Sequence, residues 1–379
     1  MMEQKKKIMV LGAGLVGGAI AADLAARHDV TAVDIRDEAL APLRRQGVKT
    51  LRADLSVPGS IPRLVEPYDL VVGAVPGFMG YQVVKEIIRA GKDMVDISFF
   101  PQDPFTLDEA AREQGCRIVI DAGVAPGMSN VFLGYYDAVM EVERYVCYVG
   151  GLPVIRQWPF QYKAVFSPID VIEEYVRPAR YVENGHLVVK PALSDSELID
   201  FEGIGTLEAW NSDGLRTLLH TMQVPNMIEK TLRYPGTVEY LRVLRESGFF
   251  SSEEVEVNGK KIRPVDLTAR LLFRQWKLEP GEEDFTVMRT CIEGRRDGRQ
   301  VRYVYTLLDR YDREKEMISM ARTTGFTCTA LTELMLAGRI SGRGIIPPEK
   351  VARDEENFHF ILQHLEERNV HYQLKTEEK

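Results

Sequence analysis

Cysteine is scarce in this chain and carries no pattern. Its four cysteines, Cys116, Cys147, Cys291 and Cys328, lie far apart along 379 residues, which excludes a disulfide framework and a cysteine-based metal site. The six histidines are equally scattered, with no His-x-x-x-His or similar cluster, so no metal is expected. Long apolar runs are missing too: none reaches the roughly 20 residues that span a bilayer. The opening Met-Met-Glu-Gln-Lys-Lys-Lys run holds no apolar signal-peptide core before the first strand. With the unpaired cysteines it points to a reducing, cytoplasmic setting. Basic charge is in deficit, 48 lysines and arginines against 56 aspartates and glutamates, a net of −8. That excludes a general nucleic-acid or acidic-membrane surface. There is no internal repeat and no low-complexity segment. What is present, 45% hydrophobic and 27% charged residues, is an ordinary globular composition, long enough for two domains with substantial cores.

The first structured stretch is the most informative. An apolar strand, Ile8 to Leu11, runs into Gly12-Ala13-Gly14-Leu15-Val16-Gly17, and a helical stretch follows from Leu15 to Arg27 with Val16, Ile20 and Leu24 on one face. In a Gly-x-Gly-x-x-Gly loop the first glycine permits the tight turn and the second lets the backbone approach a pyrophosphate. The third lets helix and strand pack closely. Helix amides and the helix dipole favour the phosphates. A second strand, Val30 to Val33, ends at Asp34, 22 residues after Gly12, where a carboxylate can accept hydrogen bonds from an adenosine ribose. Asp34 repels a 2′-phosphate, so the cofactor expected is NAD rather than NADP. Arg36 either softens that preference or is a solvated surface cation.

Strands and helices alternate through the first 125 residues. A helix near Asp37–Gln46, a strand Val48–Arg52, the nearly all-apolar run Asp69–Val75, a helix Phe78–Ala90, a strand Asp93–Ser98, a helix Leu107–Gln114 and a strand Arg117–Asp121 complete the pattern. Six strands with short crossovers predict an α/β fold, a Rossmann-type doubly wound parallel sheet. After Pro126-Gly127 hairpin signals appear. Asn184-Gly185 separates Ala179–Glu183 from His186–Lys190, and Asn258-Gly259 separates Glu254–Val257 from Lys260–Arg263. Asp297-Gly298 lies in the turn between Asp284–Arg295 and Arg299–Tyr311. This region reads as an α+β domain on a largely antiparallel or mixed sheet. Thr323-Thr324 can cap a helix Phe326–Ala337; a loop Gly342–Pro348, a helix Glu349–Arg368 and a frayed tail Lys375–Lys379 follow. The domains expected are 1–127, 128–322 and a C-terminal helical segment 323–379 that returns to the first domain.

Ligands of doubly wound sheets bind outside the carboxyl ends of the strands. Ala74-Val75-Pro76, after strand four, is small and apolar and suits a nicotinamide neighbour or a plain strand terminator. Asp96 and Asp121 end strands five and six. Each either serves chemistry, by orienting or deprotonating an amine, or satisfies neighbouring backbone amides. Two carboxylates at adjacent strand ends suit a cationic substrate. Downstream, Arg216 and Arg233 are candidate carboxylate clamps, with surface salt bridging as their plainer fate. Asp213 reads as a helix N-cap, Lys163 as an exposed strand lysine unless buried as a base, and His220 as a packed core histidine. A non-catalytic NAD(H)-binding sensor would need the loop alone. The density of Asp, Arg and Thr over 208–236 favours an enzyme.

These motifs together carry a resemblance. Gly12–Gly17, Val95-Asp-Ile-Ser98, Gly123-Val-Ala-Pro-Gly-Met-Ser-Asn130, Asp213-Gly-Leu-Arg-Thr217 and Lys230-Thr-Leu-Arg-Tyr-Pro-Gly236 resemble the saccharopine dehydrogenase family, most of all its short lysine 6-dehydrogenase branch. The resemblance implies an inserted catalytic and dimerisation domain, hence a homodimer or higher homo-oligomer. It implies NAD-dependent oxidative deamination of L-lysine at the ε-carbon, with saccharopine or carboxynorspermidine as the alternative substrates. On this reading Arg216, helped by Thr217 or Arg233, holds the substrate carboxylate, and Asp96 or Asp121 receives the ammonium. Gly12, Gly14, Leu15, Val16, Gly17, Asp34, Ala74, Val75 and Pro76 hold the cofactor. Saccharopine-reducing members tend to carry aspartate where this chain has Ala125 and tyrosine where it has Phe99, and both changes point away from saccharopine.

Overall fold

The computed structural model describes residues 5–165 and 168–378. It divides into two compact units. The first holds the chain up to Val139 together with Ala321–His371, and the second holds Met140–Met320 together with the chain from Tyr372.

In the first unit the order is β1 (Lys7–Leu11), α1 (Leu15–Ala25), β2 (Asp29–Asp34), α2 (Asp37–Arg45), β3 (Lys49–Arg52), α3 (Ser60–Val65), β4 (Leu70–Gly73), α4 (Gly77–Arg89), β5 (Met94–Asp96), α5 (Asp108–Glu113), β6 (Arg117–Val119) and α6 (Met128–Val139). Pairing is parallel throughout, in the order β3-β2-β1-β4-β5-β6. That order reverses beside β1, the switch point where doubly wound sheets bind ligands. Ile8, Val10 and Leu11 are fully buried, as a strand covered by helices on both faces requires.

The second unit contains β7 (Glu141–Pro153), α7 (Pro168–Val176), β8 (Ala179–Glu183), β9 (His186–Lys190), β10 (Glu197–Phe201), β11 (Gly205–Asn211), α8 (Leu218–Thr221), β12 (Asn226–Arg233), α9 (Thr237–Glu246), β13 (Val255–Val257), β14 (Lys260–Ile262), α10 (Pro264–Trp276), β15 (Asp284–Arg296) and β16 (Arg299–Arg310). Its large sheet is mixed: β12 runs parallel to β7 and the other pairs are antiparallel. The hairpin turns fall at Asn184-Gly185, Asn258-Gly259 and Asp297-Gly298, with positive φ at all six residues. Tyr175, Trp210 and Trp276 centre an aromatic core beneath α7, α9 and α10.

The C-terminal segment departs from the sequence reading. Helix α11 spans Ser319–Leu336 and starts seven residues before Phe326, so Thr323 and Thr324 lie inside it. The start is set by Asp284, distant in sequence, whose two oxygens accept the amides of Ser319 (2.7 Å) and Met320 (3.1 Å). Part of the expected loop 342–348 is β17 (Gly344–Ile345), a seventh parallel strand on β6. The single expected helix divides into α12 (Pro348–Val351) and α13 (Glu355–Glu366). The tail is not frayed: β18 (Tyr372–Glu378) pairs antiparallel with β16 from Leu307 to Val301. Its Glu377 also meets Arg302 at 3.2 Å. Among the described residues no helix is long and apolar enough to cross a membrane.

Candidate functional site

The glycine loop is packed against its own chain at Gly12 and Gly17 and is open at Gly14. Gly12 has φ +99°, and a Cβ there would overlap the Ala74 carbonyl; a Cβ on Gly17 would overlap the carbonyl of Gly12. Ala74 thus packs directly on the loop, and its amide donates to the Leu11 carbonyl at 2.8 Å. Gly14 is different. Its backbone is extended (φ −68°), and the nearest atom to an added Cβ is Arg36 Nη2 at 3.9 Å. Among the described residues nothing crowds a side chain at 14, so its absence leaves open space. Helix α1 begins there without a side-chain cap and without an acidic residue in its first turn, while Leu15 lies half exposed at the rim. An uncapped helix N-terminus beside an open glycine fits a pyrophosphate.

Asp34 ends β2 and is nearly buried. Its Oδ2 accepts the Ala13 amide at 2.9 Å, and its Oδ1 accepts the Arg36 amide at 2.9 Å and Arg36 Nε at 3.4 Å. One carboxylate therefore pins the loop, caps the end of its own strand and holds the exposed Arg36 side chain beside the place where Gly14 is open. Val75 is buried, and Pro76 stands at the N-cap of α4.

Asp96 is completely buried at the end of β5. Its oxygens accept from the Ser98 hydroxyl (2.9 Å) and the Ser98 amide (3.1 Å). The carboxylate sits on Gly73 at the end of β4, where a Cβ would overlap it. The bland role foreseen for it, satisfying nearby backbone, is thus real. Its charge reaches α11: burial first and then Asp96 push the Cys328 thiol up. Asp121 follows β6 at φ +55° and 2% exposure. Aspartate tolerates the left-handed region better than most residues, yet holding it there still costs free energy.

In the second unit the polar groups gather on the turn after β11. Asn211, Ser212, Asp213, Arg216 and Thr217 are all buried. Arg180 of β8 grips Asp213 with two bonds of 2.8 and 2.9 Å. That overturns the N-cap reading of Asp213, because α8 starts at Leu218 with Thr217 as its boundary. Arg216 has φ +44°, a conformation that a long branched-free side chain holds only when its surroundings dictate it.

Arg233 is placed differently from the carboxylate clamp foreseen for it. It is 2% exposed, and its Nη2 meets Glu174 at 2.6 Å. Its guanidinium stacks 4.5 Å from the Tyr162 ring. Its charge is already neutralised inside the aromatic core, so its role there is packing and pairing. Lys163 is also in use, donating to the Lys277 carbonyl at 3.0 Å and pairing with Glu282 at 3.3 Å. His220 is exposed, not packed in a core. Two residues were not singled out in the sequence: Gly214, inside the Asp213–Thr217 motif, and Glu229, beside Lys230 in a strand of mixed polar and apolar residues. A Cβ on Gly214 would overlap the Glu229 carboxylate.

Residues 123–370 match the model of the saccharopine dehydrogenase C-terminal domain, and residues 8–119 match the saccharopine dehydrogenase NADP binding domain. The chain belongs to the saccharopine dehydrogenase family. Within that family it is 25% identical over 282 residues to the mitochondrial alpha-aminoadipic semialdehyde synthase of Mus musculus, covering 70% of this chain and 30% of that one. It therefore spans less than a third of the length of this relative. It is 23% identical over 384 residues to the carboxyaminopropylagmatine dehydrogenase of Synechocystis, covering 92% of this chain and 93% of the other. The fold matches apo saccharopine dehydrogenase (L-Glu forming) from Saccharomyces cerevisiae with a TM-score of 0.78 at 20% identity, over 98% of this chain and 100% of that one.

Proposed function

We propose that this saccharopine dehydrogenase family member is an NAD-linked amino-acid dehydrogenase. It oxidises the carbon bearing the ε-amine of L-lysine, giving 2-aminoadipate 6-semialdehyde, ammonia and NADH. The observation that carries this reading is the pair of buried carboxylates, Asp96 and Asp121, that end neighbouring strands of the sheet bearing the open glycine loop. Burying an ammonium is costly, and carboxylates at the strand ends offset its lost hydration.

Nicotinamide, when bound, would supply the hydride acceptor. The chain's own residues do the rest. Arg216, with Thr217 beside it, holds the α-carboxylate of lysine. Asp96 or Asp121 receives the ε-ammonium and takes its proton, since hydride cannot leave carbon until nitrogen has a free lone pair. Water then adds to the substrate imine and ammonia departs, leaving the aldehyde. The rate gain comes from orientation and desolvation. NAD is the expected cofactor because Asp34, a carboxylate at the end of β2, would repel a 2′-phosphate. Arg36 is the counterweight, since its guanidinium can turn from Asp34 to a phosphate. The family's name for this domain carries NADP.

A second reading is dehydrogenation of a secondary amine, saccharopine or carboxynorspermidine; relatives are named for saccharopine and for carboxyaminopropylagmatine. Ala125 and Phe99 weigh against saccharopine. The test is absorbance at the NADH band with purified protein, run with L-lysine, saccharopine and carboxynorspermidine against NAD and NADP. Growth with lysine and NAD is expected. Growth only with a secondary amine moves the chain to the second reading. Silence with every amine while NADH still binds makes it a nucleotide-binding sensor.

A further inference from the structure

We propose that Glu229 is a positioning residue for the substrate-carboxylate site: its carboxylate, seated on the backbone of Gly214, fixes the turn from which Arg216 projects. The proposal rests on the reading of Arg216 as the carboxylate clamp.

Residue 229 holds this turn twice. Its main-chain carbonyl accepts the Ser212 amide at 3.2 Å. Its side chain occupies the space that any Cβ on Gly214 would need. Gly214 is therefore a glycine because of its neighbour. No positive φ is recorded at 214, and the contact alone excludes a side chain. Two residues further on, Arg216 takes the left-handed conformation at φ +44°. Such a state persists where the surrounding structure over-determines it. Among the restraints on this turn are Glu229 on Gly214 and the paired bonds from Arg180 to Asp213.

Packing alone does not account for an acid at this position. Glu229 is 5% exposed on β12, opposite Cys147 of β7. Burial first, and then the Glu229 carboxylate, push the Cys147 thiol up. An apolar residue would fill that interior site without the cost of burying a charge. Against Gly214 the carboxylate is a flat, two-pronged group that fits bare backbone, and the turn it supports carries the arginine. The first unit uses the same arrangement where Asp96 rests on Gly73.

The test is a mutant cycle read as separate KM values for lysine and for NAD. Gly214→Ala should raise the lysine KM at least tenfold and leave the NAD KM within twofold. Glu229→Ala should raise the lysine KM as well, but it frees the space, so adding Gly214→Ala to it should cost less than threefold more. Glu229→Gln, which keeps the shape, should return the lysine KM to within about threefold of the wild type. The proposal is overturned by an unchanged lysine KM in Gly214→Ala, by an equal cost of Gly214→Ala in both backgrounds, or by a parallel rise in the NAD KM. It is overturned too if Glu229→Gln is as impaired as Glu229→Ala. If Gly214→Ala fails to fold, the Glu229→Ala and Glu229→Gln pair decides alone. Wild-type protein that reduces NAD with no amine would instead sink the functional reading, an outcome visible before any variant is made.

Discussion

The glycine loop at 12–17 and the turn at 212–217 solve one problem in opposite ways. Each holds a backbone with positive φ in place, at Gly12 in the loop and at Arg216 in the turn. The loop is held mainly backbone against backbone: a Cβ on Gly12 would overlap the Ala74 carbonyl and one on Gly17 the Gly12 carbonyl, while Asp34 accepts the Ala13 amide. The turn is held by side chains, Arg180 from 33 residues before Asp213 and Glu229 from the following strand. Backbone-on-backbone contact demands glycine and leaves a readable spacing. Contact through side chains leaves isolated polar residues that look like surface.

The largest contrast is expected inside the loop itself. Gly12→Ala meets both a positive φ and the Ala74 carbonyl, and should unfold or destabilise the first unit by several kcal/mol, on the order of 3–4. Gly14→Ala meets open space, and should keep its melting temperature within about 2 °C while losing NADH binding, followed by fluorescence. Equal damage to stability from both would break the claim that Gly14 is kept for a ligand.

The two arginines sharpen the comparison next. Arg233→Ala removes a buried arginine and leaves the partly buried Glu174 without it, and should cost about 3 kcal/mol in urea unfolding. Arg216→Ala should cost less stability but raise the lysine KM about 100-fold, roughly 2–3 kcal/mol of binding, with the NAD KM unchanged. A fall in kcat at constant lysine KM would show that Arg216 is not the clamp.

A smaller effect belongs to Asp284. Burial raises its pKa to about 6, against the amide bonds from Ser319 and Met320 that favour its charge. The folded state thus binds this proton more tightly than the unfolded chain does. Stability from this group is full below about pH 4 and is lost as pH rises to about 6, by roughly 2–3 kcal/mol. Asp284→Asn removes the titration, so the stability of the wild type relative to the variant should fall between pH 4 and 7. A constant difference across that range would contradict the shift. The smallest effect is expected at Arg36: Arg36→Ala should lower the use of NADP by about threefold or more and barely change that of NAD.

The first unit was legible because each of its signals is local. Apolar runs mark β1 and β4, a glycine spacing marks the loop, and Asp34 lies at a set distance from it. The primed turns at Asn184, Asn258 and Asp297 were legible for the same reason, since left-handed φ at consecutive positions selects those residues. The start of α11 was not, because Asp284 and not a nearby threonine receives its first amides. β18 was missed because mostly exposed, charge-rich Tyr372–Glu378 has the composition of a solvated tail, and only the open edge of β16 makes it a strand. Arg233 and Arg216 look alike in sequence, and it is Glu174, 59 residues from Arg233, that separates their roles.

The late strands also set an order of assembly. β6 gains its outer neighbour only at Gly344–Ile345, and β16 gains its own only at Tyr372–Glu378. At a synthesis rate of roughly 5–20 residues per second, the edge at Val119 waits roughly 10–45 s for its partner. During that interval a nascent chain exposes an unpaired strand edge and the apolar surface later covered by the residues around Phe358. A ribosome that stalls between residues 140 and 340 therefore releases no finished half of this protein, only a template for aggregation or a client for a chaperone.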